Sequence, residues 1–487
     1  MMDVKERLNY FLAQGILPTP EMLREEIPAA AVPAISGEIS SSELISTLSE
    51  SNSELNSEVS VLASPKVFPS FSVIKSFSST AKKYTPADFT RCFVARYYQM
   101  EKYLRGRPEM QSVLSINKII AKKERDKVSL IGMVYEKTVT KTGHLILTME
   151  DPTGKVAVHI SKDKRELIQQ AQNLILDDVV GMTGVFNQKA IYGDNIIWPD
   201  IPFNTELKKA DEEGRAIFLS DVHIGSKYFL SDEFNKFLSW LRGELGNEVQ
   251  KELAAQIKYV FIVGDLVDGV GVYPEQDKEL ILKDINEQYR EAARLLNLIP
   301  SQIKIFIIPG NHDCVHLFEP QPPIYEDYAK PLYEMPNVVM LSNPAVVSVG
   351  QTENFSGIQI LLYHGYSFDH YVSEVDSIRN NGGYSRIDLT MKFLLKRRHL
   401  APTFASNQLS PAFNFDPLVI DTVPDIFATG HIHYSLAANF KNVTLISGSC
   451  WQSSTPFQEK MGHKPEPARV PVINLKTREI KILKFID

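Results

Sequence analysis

The pattern of hydrophobic and polar positions changes several times along the chain, and each change predicts a different module. Residues 3–26 carry apolar side chains at helical spacing, and Thr19 is placed to cap a helix that begins with Pro20. The sequence therefore predicts a helical N-terminal module over residues 1–30. Residues 31–83 are rich in serine, which predicts a flexible linker; a short segment of it that folds on a partner is the alternative.

Helical spacing returns after the linker. Residues 84–125 are predicted to form a helical segment that begins at Thr85 and Pro86. An aromatic and apolar stripe in it recurs every three or four residues and is predicted to be part of the core. Its members are Phe89, Phe93, Tyr97 and Met100.

Alternation of apolar and polar residues then predicts a β-rich domain over residues 126–205. Short strands separated by glycine and aspartate turns run from Lys127, and one helical stretch, 162–171, follows the third strand. About five strands with a helix after the third indicate an OB-type β-barrel. Such a barrel either binds single-stranded nucleic acid on aromatic side chains or serves as a docking module, and docking is the favoured interpretation.

The last and longest module, residues 206–487, alternates near-continuous apolar runs with helical or loop segments. The runs include "RAIFLS", "IKYVFIVG", "IKIFIIPG", "IQILLYHG" and "PDIFATGH". Runs of this kind are typical of strands buried on both faces, so we expect a layered α/β fold. Ligands of such sheets collect at the carboxyl ends of the strands.

Composition narrows the functional classes. The 487 residues exceed what one hydrophobic core usually serves, which agrees with several domains. With 52 Lys and Arg against 59 Asp and Glu, the chain is not a globally basic nucleic-acid binder, so any nucleic acid is held by local patches, metal ions or a partner. The most basic run, Lys396 to Arg398, is interpreted as a solvated face, with DNA-backbone contact as the alternative.

The sequence also argues against a membrane protein and against a disulfide framework. No apolar stretch approaches the roughly 20 residues of a membrane helix, and the N-terminus lacks the apolar core of a signal peptide. The cysteines Cys92, Cys314 and Cys450 are few and far apart, which fits a reducing compartment. We therefore expect a cytoplasmic protein without a membrane partner.

Polar side chains cluster at the ends of five of the predicted strands. Taken singly, each is more often a turn former than a ligand. Together they would place many carboxylates and imidazoles in one buried region, where a shared cation that organises them is a simpler explanation than mutual repulsion. The residues concerned are Asp221, His223, Asp265, Asp268, Asn311, His312, Asp313, His364, His431 and His433.

These donors indicate the type and the number of metal ions. Residues two apart in an extended segment point to one side, so Asp221 with His223, and His431 with His433, present paired donors. Imidazole and carboxylate donors without thiolate suit Mn²⁺, Fe²⁺ or Zn²⁺ better than Ca²⁺. The donors are too many for one ion, so we expect two ions about 3.5–4 Å apart with a bridging carboxylate, an arrangement suited to phosphoester displacement.

Five short motifs carry a family resemblance. "DVHIG", "GDLVDGVG", "GNHD", "YHG" and "TGHIH" resemble, in order, the motifs of the calcineurin-like metallophosphoesterases. With the barrel and the helical module before them, the whole chain is similar to the small subunits of archaeal family D replicative DNA polymerases. The resemblance implies an α/β metallophosphoesterase sandwich of mixed β-sheets flanked by helices and preceded by an OB-type β-barrel. It implies two divalent ions, with Mn²⁺ expected and Mg²⁺, Fe²⁺ or Zn²⁺ as alternatives.

The resemblance also implies roles for individual residues. One metal ion would be bound by Asp221, His223 and His433, the other by Asn311, His364 and His431, with Asp265 as the bridge. His312 would lie near the scissile phosphate, and Asp313 would orient it. Asp268 is expected behind the ligands or in a turn, and Cys314 is assigned no role.

The function implied by the resemblance is metal-dependent 3′–5′ exonuclease activity that proofreads within a heteromeric DNA polymerase. The expected partners are the large catalytic subunit, single-stranded 3′ ends of DNA and, through the N-terminal module, a sliding clamp or another replication protein. Two alternatives stay open, a scaffold subunit with little activity alone and a stand-alone metallophosphoesterase or recombination nuclease. The barrel and the helical module argue against a stand-alone enzyme, since a phosphatase of small substrates needs neither.

Overall fold

The structure, a computed structural model, describes residues 69–78, 82–404, 406–461 and 464–486. The predicted helical N-terminal module and most of the predicted linker lie outside these residues. The chain divides into one unit of Met1–Val67 with Ala81–Phe89 and a second unit of Phe68–Thr80 with Thr90–Asp487. Among the described residues, no helix combines the length and the apolar character needed to cross a membrane.

Within the first unit the structure describes residues 82–89, where a helix begins. The Asp88 carboxylate accepts hydrogen bonds from the Thr85 amide at 2.7 Å and from the Thr85 hydroxyl at 2.8 Å. Pro86 follows at the first position of helix α1, Pro86–Arg105, where its missing N–H costs no hydrogen bond. The predicted start of this helix at Thr85 and Pro86 is confirmed.

A closed barrel of five strands forms the first part of the second unit. In chain order the elements are β1 (Phe71–Lys75), which lies outside the barrel, then α2 (Ile116–Ile120), β2 (Asp126–Val139), β3 (Leu145–Asp151), β4 (Gly154–Ile160), α3 (Arg165–Gln172), β5 (Val179–Asn187) and β6 (Ala190–Ile197). The barrel closes in the order β2, β3, β4, β6, β5. In β4, Val156, Val158 and Ile160 are buried and the residues between them are not, which is the alternation expected of barrel strands. The predicted barrel with a helix after its third strand is confirmed.

The remainder of the second unit is a sandwich of two sheets. Its elements are β7 (Arg215–Leu219), α4 (Ser231–Leu241), α5 (Glu248–Ala255), β8 (Ile257–Val263), α6 (Ile285–Leu296), β9 (Lys304–Ile308), α7 (Glu326–Tyr333), β10 (Val338–Met340), β11 (Ala345–Val349), β12 (Ile358–Leu362), α8 (Phe368–Glu374), α9 (Asp376–Arg379), α10 (Ile387–Arg397), β13 (Ile426–Thr429), β14 (Leu436–Phe440), β15 (Val443–Ser447), α11 (Pro456–Met461), β16 (Arg469–Asn474) and β17 (Ile480–Lys484). One six-stranded sheet has the order β1-β11-β12-β13-β15-β14, and the other has the order β10-β9-β8-β7-β16-β17. Both sheets mix parallel and antiparallel pairs.

The core between the sheets consists of aromatic and branched side chains. The Phe261 ring stacks on Phe218 at 5.1 Å and on Phe306 at 5.0 Å, which joins β7, β8 and β9 into one layer. Ile360 and Ile426 of the other sheet belong to the same buried cluster. Helices α4 and α6 cover the outer face of one sheet, and α10 packs against the other. The predicted α/β sandwich of mixed sheets flanked by helices is confirmed.

One segment assigned to the flexible linker is a strand. Strand β1, Phe71–Lys75, pairs antiparallel with β11 at the edge of the first sheet. Phe71 packs edge-on against Phe306 at 5.3 Å, and the Ser70 carbonyl accepts a hydrogen bond from the Tyr259 hydroxyl at 2.8 Å. These contacts come from residues far along the chain, so the serine-rich local composition did not reveal them.

The basic run Lys396 to Arg398 is neither a solvated face nor a DNA contact. Arg397 is buried, and its Nε lies 2.9 Å from Asp178 Oδ1 at the start of β5. Lys396 and Arg397 both lie over the ring of Trp198, at 4.5 and 4.7 Å from its centroid. The run therefore packs the barrel against the sandwich, because a buried guanidinium needs the carboxylate and the ring that the barrel supplies.

A second buried charge cluster ties helix α1 to the sandwich. Arg96 Nε donates to Asp416 Oδ2 at 2.6 Å, and His399 Nε2 lies 3.0 Å from the same oxygen. Burial and the positive charge of Arg96 lower the pKa of His399 to about 4, although Asp416 opposes them. Since Arg96 already neutralises Asp416, His399 is neutral and donates an ordinary hydrogen bond.

We predict a specific pH dependence of stability from this cluster. Because the pKa of His399 is lower in the folded chain than its ordinary 6.5, its contribution to stability is complete above pH 6.5 and is lost as the pH falls towards about 4. The full loss is at most about 3 kcal/mol. The free energy of unfolding in urea should be measured between pH 4.5 and 7.5. For His399→Gln it should depend less on pH than for the wild type, and an equal pH dependence would contradict the assignment.

Candidate metal centre

The predicted donors lie at the carboxyl ends of five strands, at one end of the sandwich. Asp221 and His223 follow β7, Asp265 follows β8, and Asn311 and His312 follow β9 in the second sheet; His364 follows β12, and His431 with His433 follow β13 in the first. Both sheets therefore contribute side chains to one region. The parallel pairs β7–β8–β9 and β12–β13 explain the convergence, because parallel strands end at the same edge.

The backbone at these strand ends is unusual. Asp221, His223, Asp265, His431 and His433 all have positive φ angles, between 51° and 70°. Such conformations cost about 1–3 kcal/mol each in non-glycine residues and persist where the surroundings enforce them. They bend the chain back so that side chains two residues apart both enter the site.

A glycine next to a predicted ligand allows this close packing. A Cβ at Gly430 would lie 2.7 Å from the Ser220 Cβ and 2.8 Å from Asp221 Oδ2. Only hydrogen fits there, because carbon atoms are not found that close. The glycine in the motif "TGHIH" therefore lets the loop of His431 approach Asp221, and the His431 amide donates to Asp221 Oδ2 at 2.9 Å.

The donor atoms form three overlapping groups in which all ligand atoms lie within 4.8 Å of one another. The groups are Asp221, His223 and His433; His223, Asp265 and His312; and Asp265, His364 and His431. His223 Nε2 lies 3.1 Å from His433 Nε2, and His364 Nε2 lies 3.1 Å from Asn311 Oδ1. Two ligands about 2.1 Å from one cation are separated by about 3.0–3.4 Å, so these donors fit divalent metal ions.

The carboxylates and imidazoles of the cluster strongly shift one another's pKa. Burial alone would raise the pKa of Asp265, but the neighbouring imidazoles, His364 above all, outweigh it and hold that pKa well below the ordinary range. For His364, burial lowers the pKa, yet the Asp265 and Asp221 carboxylates raise it to about 10. The buried carboxylates thus need positively charged groups beside them, because an uncompensated buried charge is strongly destabilising.

His312 and Asp313 have different surroundings from those predicted. His312 Nδ1 lies 2.7 Å from the Asp268 carbonyl oxygen, and the His312 amide donates to Asp265 Oδ1 at 2.8 Å. The hydrogen bonds of the Asp313 carboxylate come from the amides of Gly310 and Leu266 and from the Tyr289 hydroxyl. The Val267 amide donates to the same carboxylate at 3.4 Å. Asp313 therefore holds the loops after β8 and β9 together, and the hydrogen bond of the His312 ring is to the Asp268 carbonyl and not to Asp313.

Asp268 lies behind the predicted ligands, as expected for a residue that does not bind the metal. Its Oδ1 is 3.1 Å from His223 Nδ1. Gln276 Nε2 donates to Asp268 Oδ2 at 2.8 Å, and Gln452 Nε2 donates to Oδ1 at 3.1 Å. These neutral donors satisfy the carboxylate without cancelling its charge, so Asp268 can accept from His223 Nδ1 and leave Nε2 for a cation.

A pair of buried amides was missed by the sequence reasoning. Asn343 Oδ1 accepts from the His364 amide at 2.9 Å, and Asn343 Nδ2 donates to Gln321 Oε1 at 2.7 Å. Gln321 Nε2 donates to the Gly310 carbonyl at 3.0 Å, in the loop that carries Asn311. The bridge connects the loops of two predicted ligands. Isolated amides in loops have no spacing pattern, so no signal in the sequence marked them.

Comparison with known proteins gives the class of the domain. The family model described as calcineurin-like phosphoesterase matches residues 214–435, the part of the chain that contains every predicted donor. The fold and the site thus define a calcineurin-like phosphoesterase domain, which is a fold of metal-dependent hydrolases. A solved archaeal phosphodiesterase is 11% identical to this chain, and the match covers 55% of this chain and 98% of that chain at a TM-score of 0.26.

Curated relatives give the family. The chain is 39% identical over 398 residues to the DNA polymerase II small subunit of Methanothermobacter thermautotrophicus, covering 82% of this chain and 79% of that protein. It is 37% identical over 401 residues to the DNA polymerase II small subunit of Pyrococcus furiosus, covering 82% of this chain and 63% of that longer protein. The chain belongs to the family of archaeal DNA polymerase II small subunits.

We predict that divalent ions stabilise the folded protein. Removal of metal with EDTA should lower the melting temperature, and Mn²⁺ should restore it, because an ion at 100 times its Kd adds about 2.7 kcal/mol to the free energy of unfolding. Differential scanning calorimetry measures both steps. Asp265→Asn keeps an acceptor for the His312 amide but removes the shared charge, so its response to Mn²⁺ should be smaller. A melting temperature that ignores both EDTA and Mn²⁺ would contradict metal binding.

Proposed function

We propose that the chain is the exonuclease subunit of a heteromeric DNA polymerase and removes nucleotides from single-stranded 3′ ends by hydrolysing phosphodiester bonds. The observation that carries the proposal is the convergence of three buried donor groups at the strand ends of a phosphoesterase fold. Membership of a polymerase small-subunit family supports DNA as the substrate and a large catalytic subunit as the partner.

Two metal positions are part of the proposal. The first metal position is formed by Asp221, His223 and His433, the second metal position by Asn311, His364 and His431, and Asp265 is shared between them. Nitrogen and oxygen donors without thiolate suit Mn²⁺, with Mg²⁺, Fe²⁺ and Zn²⁺ as alternatives. Two such ions would supply charge to stabilise the phosphoryl oxygens and activate water for in-line attack.

Asp265 has a second task beyond bridging. Its Oδ1 accepts from the His312 amide at 2.8 Å, while its Oδ2 lies 3.3 Å from His364 Nε2. One carboxylate therefore sets the position of the His312 loop relative to the second metal position. A catalytic group that is already held in place reduces the entropic cost of reaching the transition state.

His312 is the proposed group that acts on the phosphate. The Asp268 carbonyl can only accept a hydrogen bond, so Nδ1 carries a proton and Nε2 is the ring nitrogen that can face the substrate. A protonated ring would donate from Nε2 to a phosphoryl oxygen or to the leaving oxygen. In this proposal the Asp268 carbonyl orients His312, and Asp313 supports the loop beneath it.

The other parts of the chain are proposed to serve assembly. The barrel is a docking module, which agrees with its firm attachment to the sandwich through Arg397 and Asp178. The N-terminal module, tethered before the barrel, would recruit a sliding clamp or another replication protein. A subunit that only supports the polymerase is the second candidate function, and the name of the family favours it as much as it favours the nuclease.

The first test is degradation of a single strand in the presence of Mn²⁺. With a 5′-labelled strand, wild type should produce a ladder of products shortened from the 3′ end. His312→Ala should lower the rate by about 10²–10⁴-fold, because general acid–base groups contribute that much. Bound metal should not change, because His312 belongs to neither of the two proposed metal positions. His370→Ala is the matched control, since His370 lies on α8 outside the donor groups, and it should keep the wild-type rate.

The outcome of the same test separates nuclease from scaffold. Equal rates for His312→Ala and wild type would remove His312 from the mechanism. No degradation by wild type, even with the large subunit present, would contradict the nuclease and leave the scaffold function. We expect Asp265→Ala to abolish degradation while the complex with the large subunit still forms, as measured by size-exclusion chromatography.

A further inference from the structure

We propose that Asp369 is a positioning residue that holds the ring of His431 with Nδ1 towards the second metal position, and that it thereby sets the affinity of this position separately from the first. The inference rests on the two metal positions of the proposed function and not on the nuclease reaction itself. It concerns a residue outside the motifs, carried by a helix that follows "YHG".

The geometry defines which ring nitrogen of His431 can bind a cation. His431 Nε2 lies 2.9 Å from Asp369 Oδ2. A carboxylate only accepts hydrogen bonds, so Nε2 carries a proton and Nδ1 is the nitrogen with a free electron pair when the ring is neutral. His431 belongs to the donor group with Asp265 and His364. In the tautomer that Asp369 selects, His431 would bind a cation of that group through Nδ1.

The position of Asp369 is determined by the packing of helix α8. Phe368 and Tyr371 on either side of it are fully buried in the core, and the Phe368 amide donates to the Gly365 carbonyl at 2.8 Å. Asp369 itself is 49% exposed and faces His431, which is 12% exposed. Tyr384 makes a side-chain hydrogen bond to Asp369. The buried neighbours Phe368 and Tyr371 and the hydrogen bond from Tyr384 thus position the Asp369 carboxylate, although Asp369 itself is half exposed.

The two metal positions are supported differently. His223 of the first position contacts Asp268, a fully buried carboxylate held by Gln276 and Gln452. His431 of the second position contacts a carboxylate that is half exposed. Hydrogen bonds from a ligand histidine to a carboxylate raise its basicity as a metal ligand, so each contact strengthens its own position.

Charge makes the contact more important at the second position. The first position has Asp221 in addition to the shared Asp265, whereas Asn311, His364 and His431 are all neutral when they bind a metal ion. Asp369 is the carboxylate in direct contact with His431, and it adds negative charge beside the second position. Its loss should therefore weaken the binding of one ion and leave the other unchanged.

Calorimetric titration of Mn²⁺ into the metal-free full chain tests the proposal. Wild type should show two binding events. Asp369→Ala should weaken one event by about 10–100-fold, the range typical for such partners of ligand histidines, and leave the other event unchanged. Asp369→Asn keeps an acceptor for His431 Nε2 without the charge, so its effect should be smaller. Glu374→Gln removes a charge from the exposed end of the same helix and is the matched control, with wild-type binding expected.

The contradicting results are equally specific. Unchanged binding in Asp369→Ala, equal weakening of both events, a single event in wild type, or the same loss in Glu374→Gln would each overturn the proposal. A lower melting temperature of metal-free Asp369→Ala would show a structural role and would also overturn it. Two events with the expected loss, but no degradation of DNA by wild type, would contradict the proposed nuclease and leave the role of Asp369 standing.

Discussion

The burial of two carboxylates beside one another, Asp221 and Asp265, is the constraint on which the rest of the site depends. Neither side chain has appreciable contact with solvent. Leaving such charges without compensation costs several kcal/mol each, so donors and positive charges must surround them. The structure supplies the amides of His312 and His431 and the imidazoles of His364 and His433. These groups come from both sheets, so the site exists only where the two sheets are packed together.

The same constraint explains why the strand ends are strained and the core is rigid. The positive φ angles of Asp221, Asp265 and His431 are unfavourable in isolation. The stacked rings of β7, β8 and β9 offset this by keeping the three strand ends in register. A softer core would let the loops relax and would separate the donors. The packing that stabilises the sandwich therefore also maintains the geometry of the site.

The sequence predicts the strand ends and their donors well, because an apolar run followed by a charged residue is a local pattern. It predicts the barrel for the same reason, because the alternation of apolar and polar residues and one helical stretch after the third strand are also local patterns. It does not reveal the partners of Arg397, the strand Phe71–Lys75, or the bridge of Asn343 and Gln321, because each depends on residues distant in the chain. Asp313 shows another limit. The family resemblance implied that Asp313 orients His312, whereas the Asp313 carboxylate accepts from the Gly310 amide and His312 Nδ1 lies at the Asp268 carbonyl.

Strand β1 makes the barrel an insertion in the phosphoesterase sheet and not a domain that precedes it. The chain enters that sheet at Phe71–Lys75, leaves it to form the barrel, and returns at β7. A fragment that starts at residue 206 would lack β1 and would expose the backbone N–H and C=O groups of β11 along a free edge. Such an edge is a template for pairing with another copy. Excision of the sandwich from residue 206 onwards would thus create a surface prone to self-association. A fragment that keeps β1 in its natural connection has to include the barrel.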